Sequence, residues 1–195
     1  MLLEWRRKRV HLLPALIPLV MLFIDHEDPL PWWNLAVAIG VVTTLTLMTV
    51  RLSRYRAVDR RWTRACAGYA AAPLAVLVLF PARAEYASAT LYVLAFGDAA
   101  AALCGRAWGR RALPWNPGKT WVGTVCFVAA AAPLAALIYH LEARPQVPWS
   151  EAGACAVVGA VCAACAESLP SQVNDNLRVG AAAAVGVVAA SLWWG

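Results

Sequence analysis

The sequence predicts an all-α integral membrane protein, a single domain over residues 1–195 built as a bundle of about seven transmembrane helices. Of the 195 residues, 62% are hydrophobic and 14% are charged, whereas soluble domains contain about 45–50% apolar and about 25% charged residues. The apolar runs are continuous rather than alternating, which is typical of membrane-spanning helices and not of barrel strands. The composition excludes a disordered chain and a water-soluble globule.

Seven apolar runs approach or reach the roughly 20 residues that a helix needs to cross a bilayer. The first run is short and contains Pro14 and Pro18, so six full spans and one partial span are an alternative. We expect this run to be retained, because an acidic segment and not a small-residue cleavage site follows it. The predicted spans are residues 10–24, 32–52, 65–80, 86–104, 121–140, 152–168 and 178–194.

Positive charge sets the predicted orientation. With seven spans and a cytoplasmic N-terminus, 15 of the 17 lysines and arginines fall in cytoplasmic segments, and Arg83 and Arg144 fall outside. This bias predicts that the C-terminus lies outside. We expect the protein to be integral to the plasma membrane of a prokaryote. Membrane topology therefore explains the net charge of +6, and we expect no nucleic-acid partner.

Three acidic residues lie at or near the predicted cytoplasmic ends of apolar helices: Asp98, Glu167 and Asp175. Ionisable groups at membrane depth are costly and are candidates for function. The other acidic residues fall in predicted outer loops or at their edges, or among the basic residues of a cytoplasmic loop, where solvation explains them. A multi-pass protein with its active site facing the cytoplasm is therefore expected.

The stretch from Gly97 to Gly123 contains the densest set of candidate site residues. Gly118, Lys119 and Thr120 directly precede a predicted helix, where backbone amides, an ammonium and a hydroxyl can hold phosphate. The chain has only two lysines, Lys8 and Lys119, so a lysine at this place suggests a need for a compact point charge. An ordinary positive-inside residue is the alternative for Lys119.

The loop before this helix is expected to begin where Gly105 and Gly109 break the preceding helix. It is not a Walker A loop, because Leu113 stands where that motif needs glycine and no strand is expected before it. The predicted nucleotide- and phosphate-binding residues are Gly105, Arg106, Gly109, Arg110, Arg111, Asn116, Gly118, Lys119, Thr120 and Gly123.

A second candidate segment runs from Glu167 to Asn176. Pro170 ends a predicted helix, and Asp175 and Asn176 enter the last span. Asp98 and Asp175 are predicted to hold Mg²⁺, which prefers carboxylates, waters and phosphate oxygens, with Glu167 as a third ligand or a partner of the ligands. A simple helix N-cap is the alternative for Asp175 and Asn176.

These motifs follow one another in a recognisable order. The order is Gly97-Asp98 with Ala101, Gly105 and Gly109; then Lys119-Thr120 with Gly123; then Glu167 with Asp175-Asn176. Over about residues 95–180 the chain resembles the CTP-dependent lipid-alcohol kinases, which include dolichol kinase, phytol kinase and the CTP-dependent diacylglycerol kinase. At the N-terminus, Arg7, Lys8 and His11 are similar to an opening motif of that family.

The sequence also departs from this family. Val122 stands where the family often has a glutamate, and position 120 is threonine where serine is commoner. The phosphatidate cytidylyltransferases share a similar region, which Lys119, Thr120 and Trp121 also fit. Their long C-terminal signature is rich in lysine, arginine and aspartate, whereas no lysine follows Lys119 here. The kinase resemblance is therefore preferred.

The resemblance implies a kinase that moves a phosphoryl group from CTP to the hydroxyl of a polyprenol or dolichol, a phytol-type alcohol or diacylglycerol. It implies Mg²⁺ as cofactor and the nucleotide and membrane lipids as partners; alanine- and glycine-rich faces would permit a homo-oligomer. The alternatives are a phosphatidate cytidylyltransferase and a non-enzymatic membrane scaffold or transporter subunit. The predicted catalytic residues are Asp98, Lys119, Asp175, Asn176 and His11.

Overall fold

The structure is a computed structural model that describes residues 12–23, 29–37 and 60–194, together with positions 39, 40, 43, 44 and 47. His11, the Arg7-Lys8 pair and much of the predicted span 32–52 lie outside the described residues. A 3₁₀ turn at Leu13–Ala15 precedes the first helix. The elements that follow are α1 (Leu16–Met21), α2 (Arg60–Leu79), α3 (Ala84–Trp108), β1 (Ala112–Leu113), β2 (Asn116–Thr120), α4 (Trp121–Glu142), α5 (Trp149–Ser168) and α6 (Asp175–Trp194).

Four of the described helices, α3 to α6, are long and apolar enough to cross a membrane, and α2 adds a shorter apolar stretch, Ala67–Leu79. The fold is therefore mostly helical and indicates a membrane protein. The predicted spans 86–104, 121–140, 152–168 and 178–194 fall within these four helices. The first predicted span, 10–24, differs: its described part is the 3₁₀ turn and the six-residue α1, because prolines at positions 14 and 18 interrupt helical hydrogen bonding.

Glycines set the distances between neighbouring helices. Gly97 of α3 lies under the fully buried ring of Phe127 in α4, where an added Cβ would approach the ring to 2.4 Å. A Cβ on Gly186 of α6 would lie 2.9 Å from the Cα atom of Gly159 in α5. Small residues of this kind let helices approach closely where lipid removes the hydrophobic drive for association.

Contacts at the two ends of the bundle show how the helices run. At one end, Tyr86 of α3 and Tyr139 of α4 have ring centroids 6.0 Å apart, and His140 stacks on Trp149 of α5 at 4.0 Å. At the other end, the β1–β2 hairpin that joins α3 to α4 bonds to Ser168, the last residue of α5. Each of the helices α3, α4 and α5 therefore runs antiparallel to the one before it. We call the second end of the bundle the hairpin end.

The contact between Gly97 and Phe127 gives a stability prediction. Gly97→Ala should lower the free energy of unfolding by about 1–3 kcal/mol, because the added methyl group overpacks the Phe127 ring. Thermal unfolding of the detergent-purified protein measures the change. Gly153→Ala is the matched control, since no atom lies within 4 Å of a Cβ at that helical glycine. Equal stability of the two variants would contradict the packing argument, and Phe127→Leu should rescue Gly97→Ala.

Candidate functional site

A small antiparallel hairpin forms the centre of the candidate site. Ala112 pairs with Thr120 and Leu113 with Asn116, with an irregular register between the two pairs. The side chain of Leu113 is buried at 2% exposure and fixes the hairpin to the bundle. The phosphate segment itself forms β2 and leads directly into α4, whereas Leu113 is preceded by α3 and by Ala112, the other residue of the two-residue β1. Leu113 and the antiparallel pairing still exclude a Walker A loop.

Thr120 links the hairpin to the next helix. Its backbone is extended, and its hydroxyl oxygen accepts a hydrogen bond from the Gly123 amide at 3.1 Å, which makes Thr120 the N-cap of α4. The Thr124 hydroxyl donates to the Thr120 carbonyl at 3.2 Å. The predicted position of Gly118, Lys119 and Thr120 directly before a helix is confirmed.

Three predicted phosphate-binding glycines surround this cap. A Cβ on Gly105, Gly109 or Gly123 would lie 3.0, 2.7 or 3.1 Å from the Thr120 hydroxyl oxygen. The expected helix break at Gly105 was wrong, because α3 continues to Trp108 and Gly109 is its C-cap. A glycine costs a helix about 1 kcal/mol relative to alanine, which tertiary packing here outweighs. These glycines make room for the Thr120 cap.

Lys119 and Glu167 are in direct contact. The Lys119 Nζ atom donates to the Glu167 Oε1 atom at 2.5 Å, and the two side chains are 33% and 8% exposed. A carboxylate this deeply buried needs a charged partner, and short ion pairs of this kind are the stronger hydrogen bonds of proteins. The predicted phosphate ligand and the predicted third metal ligand therefore meet, although they are 48 residues apart in sequence.

Two more hairpin side chains reach the end of α5. The Asn116 Nδ2 group donates to the Ser168 carbonyl at 3.1 Å, and its Oδ1 atom accepts from the Gly118 amide at 3.2 Å. The Trp115 indole donates to the Ser168 hydroxyl at 3.4 Å. Sequence reasoning missed Trp115 and Ser168; the only signal was that each adjoins a predicted site residue.

The start of α6 is capped by a residue that the sequence analysis did not select. The Asn174 Oδ1 atom accepts from the amides of Asn176 and Leu177 at 3.0 and 3.4 Å. Asp175 is the first helical residue and forms an ion pair with Arg178 at 3.0 Å. The N-cap alternative for Asp175 and Asn176 was therefore wrong, because Asn174 already supplies the acceptor.

Asp98 lies deeper, about 15 Å before the end of α3 by helical rise. It is half-buried and lies near Tyr69 of α2. The adjacent Gly68 faces Asn174, whose side chain would lie 2.8 Å from an added Cβ. Asp98 and the beginning of α6 therefore approach the same turn of α2, which brings the second candidate segment next to the first.

The arginines that were predicted to bind phosphate add positive charge to the hairpin end. Arg106, Arg110 and Arg111 are all exposed, and the Arg106 Nε atom donates to the Ala102 carbonyl at 3.0 Å. Arg178 ties α6 to the chain after α5 through a 2.8 Å bond to the Leu169 carbonyl. An anion that enters this end meets several guanidinium groups.

The predicted Mg²⁺ ligands do not form a preformed cage. Among the described residues, no group of three or more histidine, cysteine, aspartate or glutamate side chains could hold a metal ion. Glu167 bonds to Lys119, and Asp175 to Arg178. Mg²⁺ usually binds one or two carboxylates together with substrate phosphates and water, so a preformed cage is not a requirement for this ion.

The Thr120 cap gives a second stability prediction. Thr120→Val keeps the shape of the side chain but removes the acceptor for the Gly123 amide, so it should cost about 1 kcal/mol of unfolding free energy. Thr120→Ser is the matched control, since it keeps the hydroxyl, and should stay close to the parent protein. Thermal unfolding in detergent compares them. Equal melting temperatures for the two variants would show that the cap carries no stability.

In a comparison with known protein families, the chain matches the cytidylyltransferase family over residues 2–189. Neither the curated proteins nor the solved structures contain a match to this chain. The family match supports an enzyme that uses CTP at a membrane, and it supports the predicted link to cytidylyltransferases without singling out the lipid-alcohol kinases. Because the match extends from the N-terminal residues into α6, the chain belongs to the cytidylyltransferase family.

Proposed function

We propose that this protein transfers the γ-phosphoryl group of CTP to the hydroxyl of a membrane lipid alcohol, such as a polyprenol, a phytol-type alcohol or diacylglycerol. The observation that carries the proposal is the position of Lys119: it stands between Gly118 and the Thr120 cap, at the N-terminus of a helix long enough to cross a membrane. Membership of the cytidylyltransferase family favours CTP as the nucleotide.

The hairpin end offers the groups that a triphosphate needs. Backbone amides and the positive end of the helix dipole meet at the start of α4, next to the Lys119 ammonium. Lys119 is one-third exposed, so an incoming phosphate oxygen can reach its Nζ atom and compete with Glu167. Arg106, Arg110 and Arg111 are placed to add positive charge from the same end of the bundle.

Mg²⁺ would be held by Asp98 and Asp175, with Glu167 as a further ligand or partner, and would neutralise phosphate charge. In the reaction, the lipid hydroxyl oxygen forms a bond to the γ-phosphorus, the bond from that phosphorus to the β–γ bridging oxygen breaks, and CDP leaves. Such transfers need alignment and charge neutralisation more than covalent catalysis. Asp98 and His11 are the candidates to accept the hydroxyl proton, and Asn176 would position the substrate or a metal-bound water.

The lipid alcohol would reach the site laterally between helices. Its chain would stay among apolar residues while its hydroxyl meets the phosphate at the hairpin end, which we assign to the cytoplasmic side on the distribution of positive charge. Two exposed tryptophans of this end, Trp115 and Trp121, pack edge to face at 5.5 Å. Tryptophan is typical of the bilayer interface, so this pair marks the depth at which the hydroxyl would react.

A phosphatidate cytidylyltransferase is the second candidate function, and the family match favours it. In that reaction a phosphatidate oxygen forms a bond to the α-phosphorus of CTP, and pyrophosphate leaves. The same basic groups would hold the triphosphate. The two reactions differ in which phosphorus atom reaches the lipid, so isotopic labelling separates them. The scaffold alternative receives no support from membership of an enzyme family.

Labelled CTP tests the proposed function. We expect purified protein in detergent, given Mg²⁺, mixed lipid alcohols and phosphatidate, to transfer label to lipid from γ-labelled CTP and not from α-labelled CTP. The labelled product would identify the alcohol. Label that reaches lipid only from the α position would establish the cytidylyltransferase. Transfer from neither position, with folded protein, would overturn both reactions.

The acidic residues give a further prediction. Asp98→Asn and Asp175→Asn should each lower turnover at least about 100-fold, because losing one preorganised electrostatic partner of a reacting phosphate costs that much. Chelation by EDTA should do the same to the parent protein, and added Mg²⁺ should restore it. Glu151→Gln, in the first turn of α5 at the opposite end, is the control. Full activity in either aspartate variant, with unchanged melting temperature, would exclude that residue as a metal ligand.

A further inference from the structure

We propose that Trp115, Asn116 and Ser168 form a latch that positions the phosphate-binding hairpin against the last turn of α5. The latch consists of the Trp115 indole bond to the Ser168 hydroxyl and the Asn116 amide bond to the Ser168 carbonyl. Asn116 was predicted to bind nucleotide, but its side chain bonds to Ser168 and Gly118. We therefore assign all three residues a positioning role. The effect on CTP that follows rests on the proposed function, whereas the mechanical role of the latch does not.

The hairpin needs contacts beyond its own strands. β1 has two residues and β2 has five, and the register between them is irregular. Isolated two-stranded hairpins are at most marginally stable in water. The Thr120 cap fixes the base of the hairpin, where Ala112 pairs with Thr120. Leu113 pairs with Asn116 at the other end, beside the turn formed by Pro114 and Trp115. The latch holds this turn.

Asn116 couples the latch to the residues before Lys119. Its Oδ1 atom accepts from the Gly118 amide, an Asx turn that shapes the chain two residues on. Its Nδ2 group donates to the Ser168 carbonyl. The Asn116 side chain therefore shapes the backbone before Lys119 and attaches it to α5. Loss of the bond to Ser168 should release the hairpin from α5 while the Asx turn to Gly118 remains.

The Ser168 hydroxyl is held in a fixed orientation within the latch. Its hydroxyl donates to the Cys165 carbonyl at 2.7 Å, which leaves the oxygen lone pairs to accept from the Trp115 indole. The preceding residue, Glu167, accepts from Lys119. Two adjacent residues of α5 thus hold the hairpin at Trp115, Asn116 and Lys119, so opening the latch changes the position of the Lys119 ammonium relative to α5.

Hydrogen–deuterium exchange of the full-length protein in detergent, without nucleotide, tests the latch directly. Asn116→Ser keeps an oxygen that can accept from the Gly118 amide but is too short to reach the Ser168 carbonyl. We expect it to increase amide exchange of residues 112–120 about tenfold, since local opening governs exchange there, and to leave α4 and α5 unchanged. Trp108→Phe, which removes an exposed indole outside the latch, should leave the hairpin as in the parent protein. Unchanged hairpin exchange in Asn116→Ser would overturn the latch.

A double-mutant cycle tests the Trp115–Ser168 bond. Trp115→Phe and Ser168→Ala each remove one partner and keep the charge of the site. Because they break the same bond, their effects on hairpin exchange should not multiply when combined. Multiplicative effects would show that the two residues act independently and would overturn this half of the latch.

Kinetics connect the latch to the proposed function. Trp115→Phe and Ser168→Ala should each raise the KM for CTP about five- to tenfold and change kcat less than twofold, because a mispositioned hairpin weakens binding more than transfer. A loss of kcat at unchanged KM would contradict positioning. If the parent protein transfers no label from CTP, the proposed function fails, and the exchange measurements still decide whether the latch exists.

Discussion

The last turn of α5 is the structural feature on which the hairpin end depends. Its Glu167 carboxylate, Ser168 hydroxyl and Ser168 carbonyl accept three hydrogen bonds from the hairpin. The adjacent Leu169 carbonyl accepts a fourth from Arg178 of α6. The final carbonyls of a helix have no partner within the helix, so they are available to chain segments that pack against it. One helix end therefore organises two segments that are far apart in sequence.

Small residues and paired charges have complementary roles in this bundle. Glycines bring helices to contact distance, as Gly97 does under Phe127 and Gly105 does beside Thr120. Close packing excludes water and makes an isolated buried charge costly. The buried Glu167 carboxylate at the hairpin end accordingly forms an ion pair with Lys119. Because the Lys119 ammonium has three N–H donors, it can bind a phosphate oxygen while one N–H still donates to Glu167.

Local sequence patterns correctly predicted the structural features that depend on neighbouring residues in the chain. The long apolar runs gave helices α3 to α6, and the position of Lys119 directly before a helix was correct. The features that the sequence analysis missed depend on contacts that the local pattern does not specify. Gly105 stays helical because it packs against Thr120, and a strand forms at Asn116–Thr120 because residues 112 and 113 pair with it. Asn174, and not Asp175, caps α6, a choice that composition cannot make because both are good caps.

Composition and hydropathy by themselves determined that this chain is helical and suited to a membrane, because apolar length and continuity are properties of the chain alone. They also located the basic glycine-containing segment and the acidic residues that carry the proposed chemistry. Tertiary structure alone decided which of these groups meet. The pairing of Lys119 with Glu167 and the attachment of Trp115 and Asn116 to Ser168 span about fifty residues of sequence. Such pairs depend on how antiparallel helices bring their ends together, and no local pattern encodes that geometry.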